Sequence, residues 1–257
     1  MSEVPEVQIG DAIGMPIVGF GTWRLRGQQA YEAIRYALQV GYRHIDTATM
    51  YGNEAEVGRA LRDSGLDRSE VFVTTKLPPE RAGHERETLA SSLRALDMDY
   101  VDLWLIHWPP RRTGQSVRVW QEFVALRSEG LCRSIGVSNY SPSQIDELTS
   151  DVGVTPAVNQ VPWSPSGHDP AVLAANRERG VAVEGYSPLK GTRLRDRTLR
   201  EIADRHGVTP AQVVLRWHVQ MDIIVIPKSE RQDRIASNFD LFGFSLTGEE
   251  MSQLTKL

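Results

Sequence analysis

Val101-Asp102-Leu103-Trp104-Leu105-Ile106-His107 reads as an apolar run of strand length closed by a histidine, and it belongs to a series. The runs Tyr42 to Ile45 and Val71 to Thr75 are closed in the same way by Asp46 and Lys76. The closing residues fall 30 and 31 positions apart (76 − 46 and 107 − 76). One strand-plus-helix unit takes about 30 residues, so this spacing puts the three at equivalent strand ends, facing one mouth. The beat continues with Ser134 to Val137, Ala157 to Asn159, Val181 to Glu184 and Ile223 to Ile226, and with Ile17 to Gly21 it makes eight runs.

Stretches of helical periodicity separate the runs, and several end on a glycine suited to the left-handed position after a helix: Gly41, Gly65, Gly130 and Gly180. Ser141-Pro142 and Thr209-Pro210-Ala211-Gln212 each put a capping hydroxyl before a proline at the first helical position. Strand alternating with helix implies a parallel sheet. Eight units in 257 residues match a single α/β domain over residues 1–257, a (β/α)8 TIM barrel with a short C-terminus after a helix expected at Thr247 to Leu254. An open doubly wound sheet would bring a glycine-rich phosphate loop after its first strand, and Gly19-Phe20-Gly21-Thr22-Trp23-Arg24 has arginine where the third glycine belongs. Val7 to Val18 reads as an N-terminal β-hairpin turning at Gly10-Asp11, placed to cap the barrel floor.

A formal charge of −4 gives no basic footprint for nucleic acid. No apolar run approaches the ~18 residues of a membrane span, and the N-terminus lacks a signal pattern, so the expectation is a cytoplasmic protein. The lone Cys132 sits in an expected strand as a small buried side chain. The histidines show no HExxH motif or paired-cysteine spacing, so no metal is expected. No exposed apolar stripe marks a dimer face, which leaves a monomer as the default.

Asp46, Tyr51, Lys76 and His107 combine an anion, a weak acid, a cation and a neutral hydrogen-bonding ring, a set suited to delivering a proton to a carbonyl oxygen. Each alone has an ordinary explanation: a loop cap, a packed ring, a surface cation, a satisfied interior histidine. Together they do not, and lysine is scarce here: 4 of the 29 basic residues, two of which close expected strands. A free tyrosine has a pKa of about 10. An ammonium ~4 Å away at an effective dielectric of ~20 lowers it by on the order of 4 kcal/mol, roughly a thousandfold in acidity before desolvation opposes it. Asp46 would keep Lys76 charged and aimed, and His107 would orient the substrate oxygen. Lys228-Ser229, a helix expected to start near Glu230 or Arg231, and Arg234 one turn in suit a phosphate. Tyr186 suits stacking on a flat ring whose amide Ser138, Asn139 and Gln160 would bind.

These residues resemble the aldo-keto reductase superfamily, compact bacterial members that reduce diketo-sugar acids among them. The likeness runs through Gly41 to Ala48 with Tyr51-Gly52-Asn53-Glu54, Thr74 to Leu77, Asp102 to Pro109, Ile135 to Asn139, Val158-Asn159-Gln160, Tyr186 to Leu189 and Ile226 to Ser229. It implies a barrel that binds NADP(H) and reduces aldehydes or ketones, a small-molecule carbonyl substrate. Tyr51 would be the general acid, with Asp46 and Lys76 tuning it and His107 orienting the carbonyl. Ser138, Asn139 and Gln160 would hold the carboxamide, Tyr186 would stack on the nicotinamide, and Thr22 would also bind the cofactor. Ser187, Leu189 and Gly191 would fold over the pyrophosphate, Lys228, Ser229 and Arg234 would grip the 2′-phosphate, and Asn238 would contact adenine. Ser237 stands where many relatives have glutamate and Lys190 where glycine is frequent. Val161-Pro162-Trp163-Ser164-Pro165 departs from the family's usual stretch and would reshape the wall beneath the nicotinamide. Short loops at Pro109 to Ser116 and Ser187 to Asp196 imply an open pocket, with Trp23, Met50 and Trp108 as lining residues; the two tryptophans suit rim packing equally.

Two other functions use the same residues. In a class I aldolase-like barrel Lys76 would form a Schiff base, which requires it freed of its carboxylate. A catalytically idle NADP(H)-binding subunit that senses redox state or docks to a partner would not need the full acid-donating set.

Overall fold

The computed structural model describes residues 4–112 and 114–257. It opens with an antiparallel hairpin, β1 (Glu6–Ile9) and β2 (Ile13–Pro16), with Val7 opposite Met15. Gly10 and Ala12 take positive φ in the turn (46° and 62°). A Cβ at Gly10 would lie 3.0 Å from that of Ala157, so the hairpin tip is pressed against the start of a core strand. Ile9 and Met15 join Phe72, Leu103, Leu105, Val158 and Ile224 in one buried cluster that fills this end of the sheet.

Eight parallel strands follow in chain order: β3 (Phe20–Gly21), β4 (His44–Asp46), β5 (Phe72–Leu77), β6 (Val101–Ile106), β7 (Cys132–Ser138), β8 (Val158–Pro162), β9 (Ala182–Tyr186) and β10 (Ile224–Val225). Each pairs with its sequence neighbour. The sheet curls far enough for its first and last strands to touch. Val18 bridges Val225, and Gly19 N–H donates to the Val225 carbonyl (2.9 Å), Val225 N–H to Ile17 (2.9 Å) and Gly21 N–H to Pro227 (3.1 Å). Only two residues of each edge run are regular strand, fewer than Ile17 to Gly21 and Ile223 to Ile226 would allow. Pro16 and Pro227, which have no N–H to donate, bracket the seam.

The helices are α1 (Gly27–Val40), α2 (Glu54–Arg62), α3 (Glu85–Leu96), α4 (Gln115–Ser128), α5 (Pro142–Val152), α6 (Pro170–Glu178), α7 (Arg197–His206), α8 (Pro210–Gln220), α9 (Gln232–Phe239) and α10 (Gly248–Leu254). Ser141, Thr209 and Thr247 form capping boxes with Gln144, Gln212 and Glu250. Gly41, Gly130 and Gly180 have positive φ just past α1, α4 and α6. Gly65 is left-handed too (φ 75°), but it stands three residues past Arg62, where α2 ends, and between them Ser64 Oγ donates to the Leu61 carbonyl at 2.6 Å. Among the described residues no helix is long and apolar enough to cross a membrane.

Strand alternation sorts the side chains. Ile45, Val73, Trp104, Ile135 and Val137 face the helices in the main core. Lys76, Gln160 and Tyr186 stand within strands, where the spacing had them follow. The ladder runs on past them, with His107 N–H donating to the Leu77 carbonyl (2.9 Å) and Pro162 opposite Tyr186. Trp163 is buried in the outer cluster with Leu173, Val183 and Trp217, while Pro162 before it is exposed. Gly136, in mid-β7, has no room for a side chain: a Cβ would lie 2.6 Å from the Val158 carbonyl oxygen and 2.8 Å from Leu105 Cδ2. Gly136→Ala is therefore expected to lower unfolding free energy by about 1–3 kcal/mol in urea titration, whereas Gly243→Ala, with open space around it, should not.

Candidate active site

Asp46 ends β4, Lys76 lies one residue before the end of β5, and His107 directly follows β6, so three neighbouring strands deliver them to one mouth. Lys76 is 0 % exposed. Its ammonium donates to both Asp46 oxygens and to the Thr47 carbonyl, each at 2.7 Å, which commits all three N–H groups. Burial alone would pull the Lys76 pKa down, but Asp46 and Tyr51 more than offset it and the net shift is upward, so the ammonium stays charged.

Tyr51 closes a single 3-10 turn, Thr49–Tyr51, ended by Gly52 in the left-handed region (φ 64°). Its ring lies 5.2 Å from Lys76 Nζ and meets the His107 ring edge-on at 5.7 Å. The sequence expectation of a phenol made more acidic is reversed here. Burial is the larger influence and raises the Tyr51 pKa above its ordinary value, with Lys76 the main opposing one. The reason is the seclusion of the phenol: the cost of burying its anion exceeds what the nearby Lys76 charge returns, and the Asp46 charge adds to that cost. Burial, with Lys76 adding to it, pushes His107 down to about 3, so its imidazole is neutral at ordinary pH. His107 Nδ1 is buried without a hydrogen-bond partner among the described residues. A lone pair is less costly to strand there than an N–H, which favours the tautomer with its proton on Nε2.

A polar layer surrounds these four. Thr22 Oγ1 and N–H both donate to the Asp46 carbonyl (2.9 and 3.0 Å), and Asn53 ties Thr47 to Thr22 and Leu25. Ser138 Oγ donates to the Gln160 carbonyl, and Asn139, at φ 63°, donates to the His107 carbonyl and to Ser138 Oγ. Tyr186 O–H donates to Asn139 Oδ1 at 2.9 Å. Gln160 Nε2 lies 2.8 Å from both Asp46 Oδ2 and Glu184 Oε2.

The aldo/keto reductase family model matches residues 17–257. The chain belongs to the aldo/keto reductase family. A methylglyoxal reductase, DkgA, of Escherichia coli strain K12 is 39% identical across 100% of this chain and 94% of its own. The crystal structure of an aldo/keto reductase from Brucella melitensis superposes with a TM-score of 0.97 at 40% identity, covering 100% of this chain and 98% of that one. A Bombyx mori aldo-keto reductase in complex with NADP superposes with a TM-score of 0.93 at 34% identity, covering 100% and 93%.

Within this aldo/keto reductase the remaining expected site residues lie further out. Ser187 (φ 54°), Leu189 and Gly191 (φ 78°) follow β9, and a Cβ at Gly191 would come 2.9 Å from Ser166 Oγ. Lys228 is already held by Glu230 at 2.6 Å, which Gln29 holds in turn. Helix α9 starts at Gln232, later than the sequence suggests, because Ser229 Oγ accepts from the Arg231 N–H (3.2 Å) and keeps Arg231 extended. Arg234 in its first turn is exposed and makes no ion pair among the described residues, while Asn238 is buried. Trp23, Met50 and Trp108 are 51%, 53% and 46% exposed, with the Arg24 guanidinium 4.3 Å over the Trp23 ring. Thr113 of the Pro109 to Ser116 loop lies outside the described residues.

Two residues of the polar layer escaped the sequence reading: Glu184 and His44, both fully buried. Glu184 had a signal, a carboxyl inside an apolar run two positions before Tyr186, on the same face of the strand. Removing the ammonium strands Asp46, so Lys76→Met is expected to cost about 3–5 kcal/mol of stability by denaturant unfolding. The His107 ring should stay neutral from pH 8 down to pH 5, measured by nitrogen chemical shifts against an exposed histidine such as His84.

Proposed function

We propose that this chain reduces aldehydes or ketones to alcohols with NADPH, Tyr51 delivering the proton. The observation that carries this reading is a charged lysine, anchored from below by Asp46, lying 5.2 Å from a tyrosine ring that also meets a neutral histidine at a strand-end mouth. The contacts between first and last strands support one closed eight-stranded barrel over the whole chain, with the pocket at its C-terminal rim.

NADPH, when bound, supplies the hydride. The chain offers it Asn139, Gln160 and Tyr186 at the carboxamide end, the segment Ser187 to Gly191 along the pyrophosphate, and Ser229, Arg234 and Asn238 at the adenosine end. Arg234, exposed and unpaired among the described residues, fits a 2′-phosphate and favours NADPH over NADH. Lys228 can join only by releasing Glu230.

The His107 Nε2–H donates to the substrate oxygen and fixes the carbonyl over the tyrosine. As charge develops on that oxygen, Tyr51 gives up its proton. An alkoxide has a basicity near that of hydroxide, far above that of a phenolate, so the proton passes downhill from Tyr51 to the substrate oxygen. Lys76 stabilises the tyrosinate left behind, and solvent returns the proton at the open rim. The exposed Trp23, Met50 and Trp108 favour aryl or medium-chain carbonyls, and the open mouth also admits small α-dicarbonyls of the methylglyoxal kind. An aldolase-like role is disfavoured by the charged state of Lys76, since a Schiff base forms from a neutral amine.

NADPH oxidation against aryl aldehydes, α-dicarbonyls and keto-sugars tests the reading, with turnover expected; binding without turnover would favour an idle nucleotide-binding subunit. Tyr51→Phe should lower kcat by about 10²–10⁴ while leaving the NADPH Kd unchanged. Arg234→Ala should weaken NADPH binding by about tenfold or more with no effect on NADH, by fluorescence titration.

A further inference from the structure

Directly beneath the Asp46–Lys76 pair lies a second carboxyl. Glu184 stands opposite Gln160 in the ladder and is 0 % exposed. The Gln160 Nε2 group donates one N–H to Asp46 Oδ2 and one to Glu184 Oε2, each at 2.8 Å. The titratable groups around Glu184 are few: Asp46 and His44 on β4, Lys76 on β5 and, beyond them, Tyr51. Among the described residues only one of these is a cation, and its three N–H groups are spent on Asp46 and Thr47. His44 Nε2 lies 3.6 Å from Glu184 Oε1, a distance suited to an ion pair, but burial pushes that imidazole down to about 3 and leaves it neutral. Two carboxyls that share one amide and one ammonium in a sealed interior do not both ionise near neutrality.

We propose that Glu184 is a positioning residue of the proton-donating cluster, held as a neutral acid between Gln160 and His44, whose ionisation weakens Tyr51 as an acid. Oε2 accepts from Gln160, while Oε1 has no hydrogen-bond partner among the described residues and faces His44 Nε2 at 3.6 Å, so Oε1 is the oxygen left to carry the Glu184 proton. Burial first, and the Asp46 charge second, push this carboxyl up to about 8. Once it ionises, the added negative charge strengthens the hold of both Lys76 and Tyr51 on their protons, and burial of Tyr51 leaves little water to screen it. A neutral Glu184 therefore keeps Tyr51 at its most acidic.

The inference rests on Tyr51 as the proton donor, and its test separates the two. Carbonyl reduction is followed against pH in wild type, Glu184→Gln and Tyr51→Phe. The alkaline limb of kcat, which reports Tyr51 ionisation, should move to lower pH in Glu184→Gln, by on the order of one pH value, because the charge that held the proton on Tyr51 is gone. A limb at the wild-type position, with Tyr51→Phe inactive, overturns the Glu184 proposal alone; full turnover by Tyr51→Phe overturns the reading beneath it. Glu184→Leu removes the carboxyl without burying a new polar atom and should move the limb the same way. Should neither variant fold, infrared spectroscopy of the wild type decides. A protonated carboxylic acid band at neutral pH that titrates away near pH 8 supports the proposal, and the lack of any such band at neutral pH overturns it.

Discussion

A lysine with no exposure to water is the constraint around which this molecule is arranged. Moving an ammonium into a protein interior costs several kcal/mol, and only close, well-directed partners offset it. Here the partners come from the adjacent strand: both oxygens of Asp46 and the Thr47 carbonyl at 2.7 Å. Asp46 is in turn fixed by Gln160 from the far side of the sheet, and its backbone carbonyl by Thr22. Strands β3, β4, β5 and β8 are thus joined through one charge. The parallel register that lines up their ends is a precondition for that charge to be stable.

The rim and the interior divide the chemistry. At the rim, Tyr51 and His107 touch each other and face the solvent side, and Trp23, Met50 and Trp108 stand about half exposed around them. Within, Lys76, Asp46, Gln160, Glu184 and His44 form a sealed polar layer resting on the apolar plug of the hairpin. An electrostatic field generated in a place water cannot reach is screened little, so it acts on the phenol above it without reorganising. The same seclusion raises the phenol's own pKa, and the balance between burial and Lys76 sets how strong an acid Tyr51 is.

Much of this was legible before any coordinates. The 30-residue beat located the strands because each βα unit repeats the same chain length, and the three closing residues were readable because a charged or polar side chain ends an apolar run at that beat. Ser141 and Thr209 announced their helices through capping chemistry, which is local. What stayed hidden depends on direction or on distant neighbours. Trp163, one residue past β8, packs outward with Val183 and Trp217, which are distant from it in sequence. The acidity of Tyr51 came out with the opposite sign because burial of the phenol outweighs the charge of Lys76 beside it. Glu184 showed only as an odd charge in a strand, since its meaning lies in Gln160, 24 residues away in sequence and 2.8 Å away in space.

If Asp46 serves catalysis by holding the ammonium that supports Tyr51, the two residues act as one unit, and their effects on rate cannot multiply. The measurement that tests this most directly is a double-mutant cycle on kcat for carbonyl reduction with Asp46→Asn, Tyr51→Phe and the pair. The account predicts a double variant no slower than Tyr51→Phe alone, because removing the donor leaves Asp46 nothing to act on. A double variant slower by the full product of the two single effects would contradict it and would place Asp46 in a separate role.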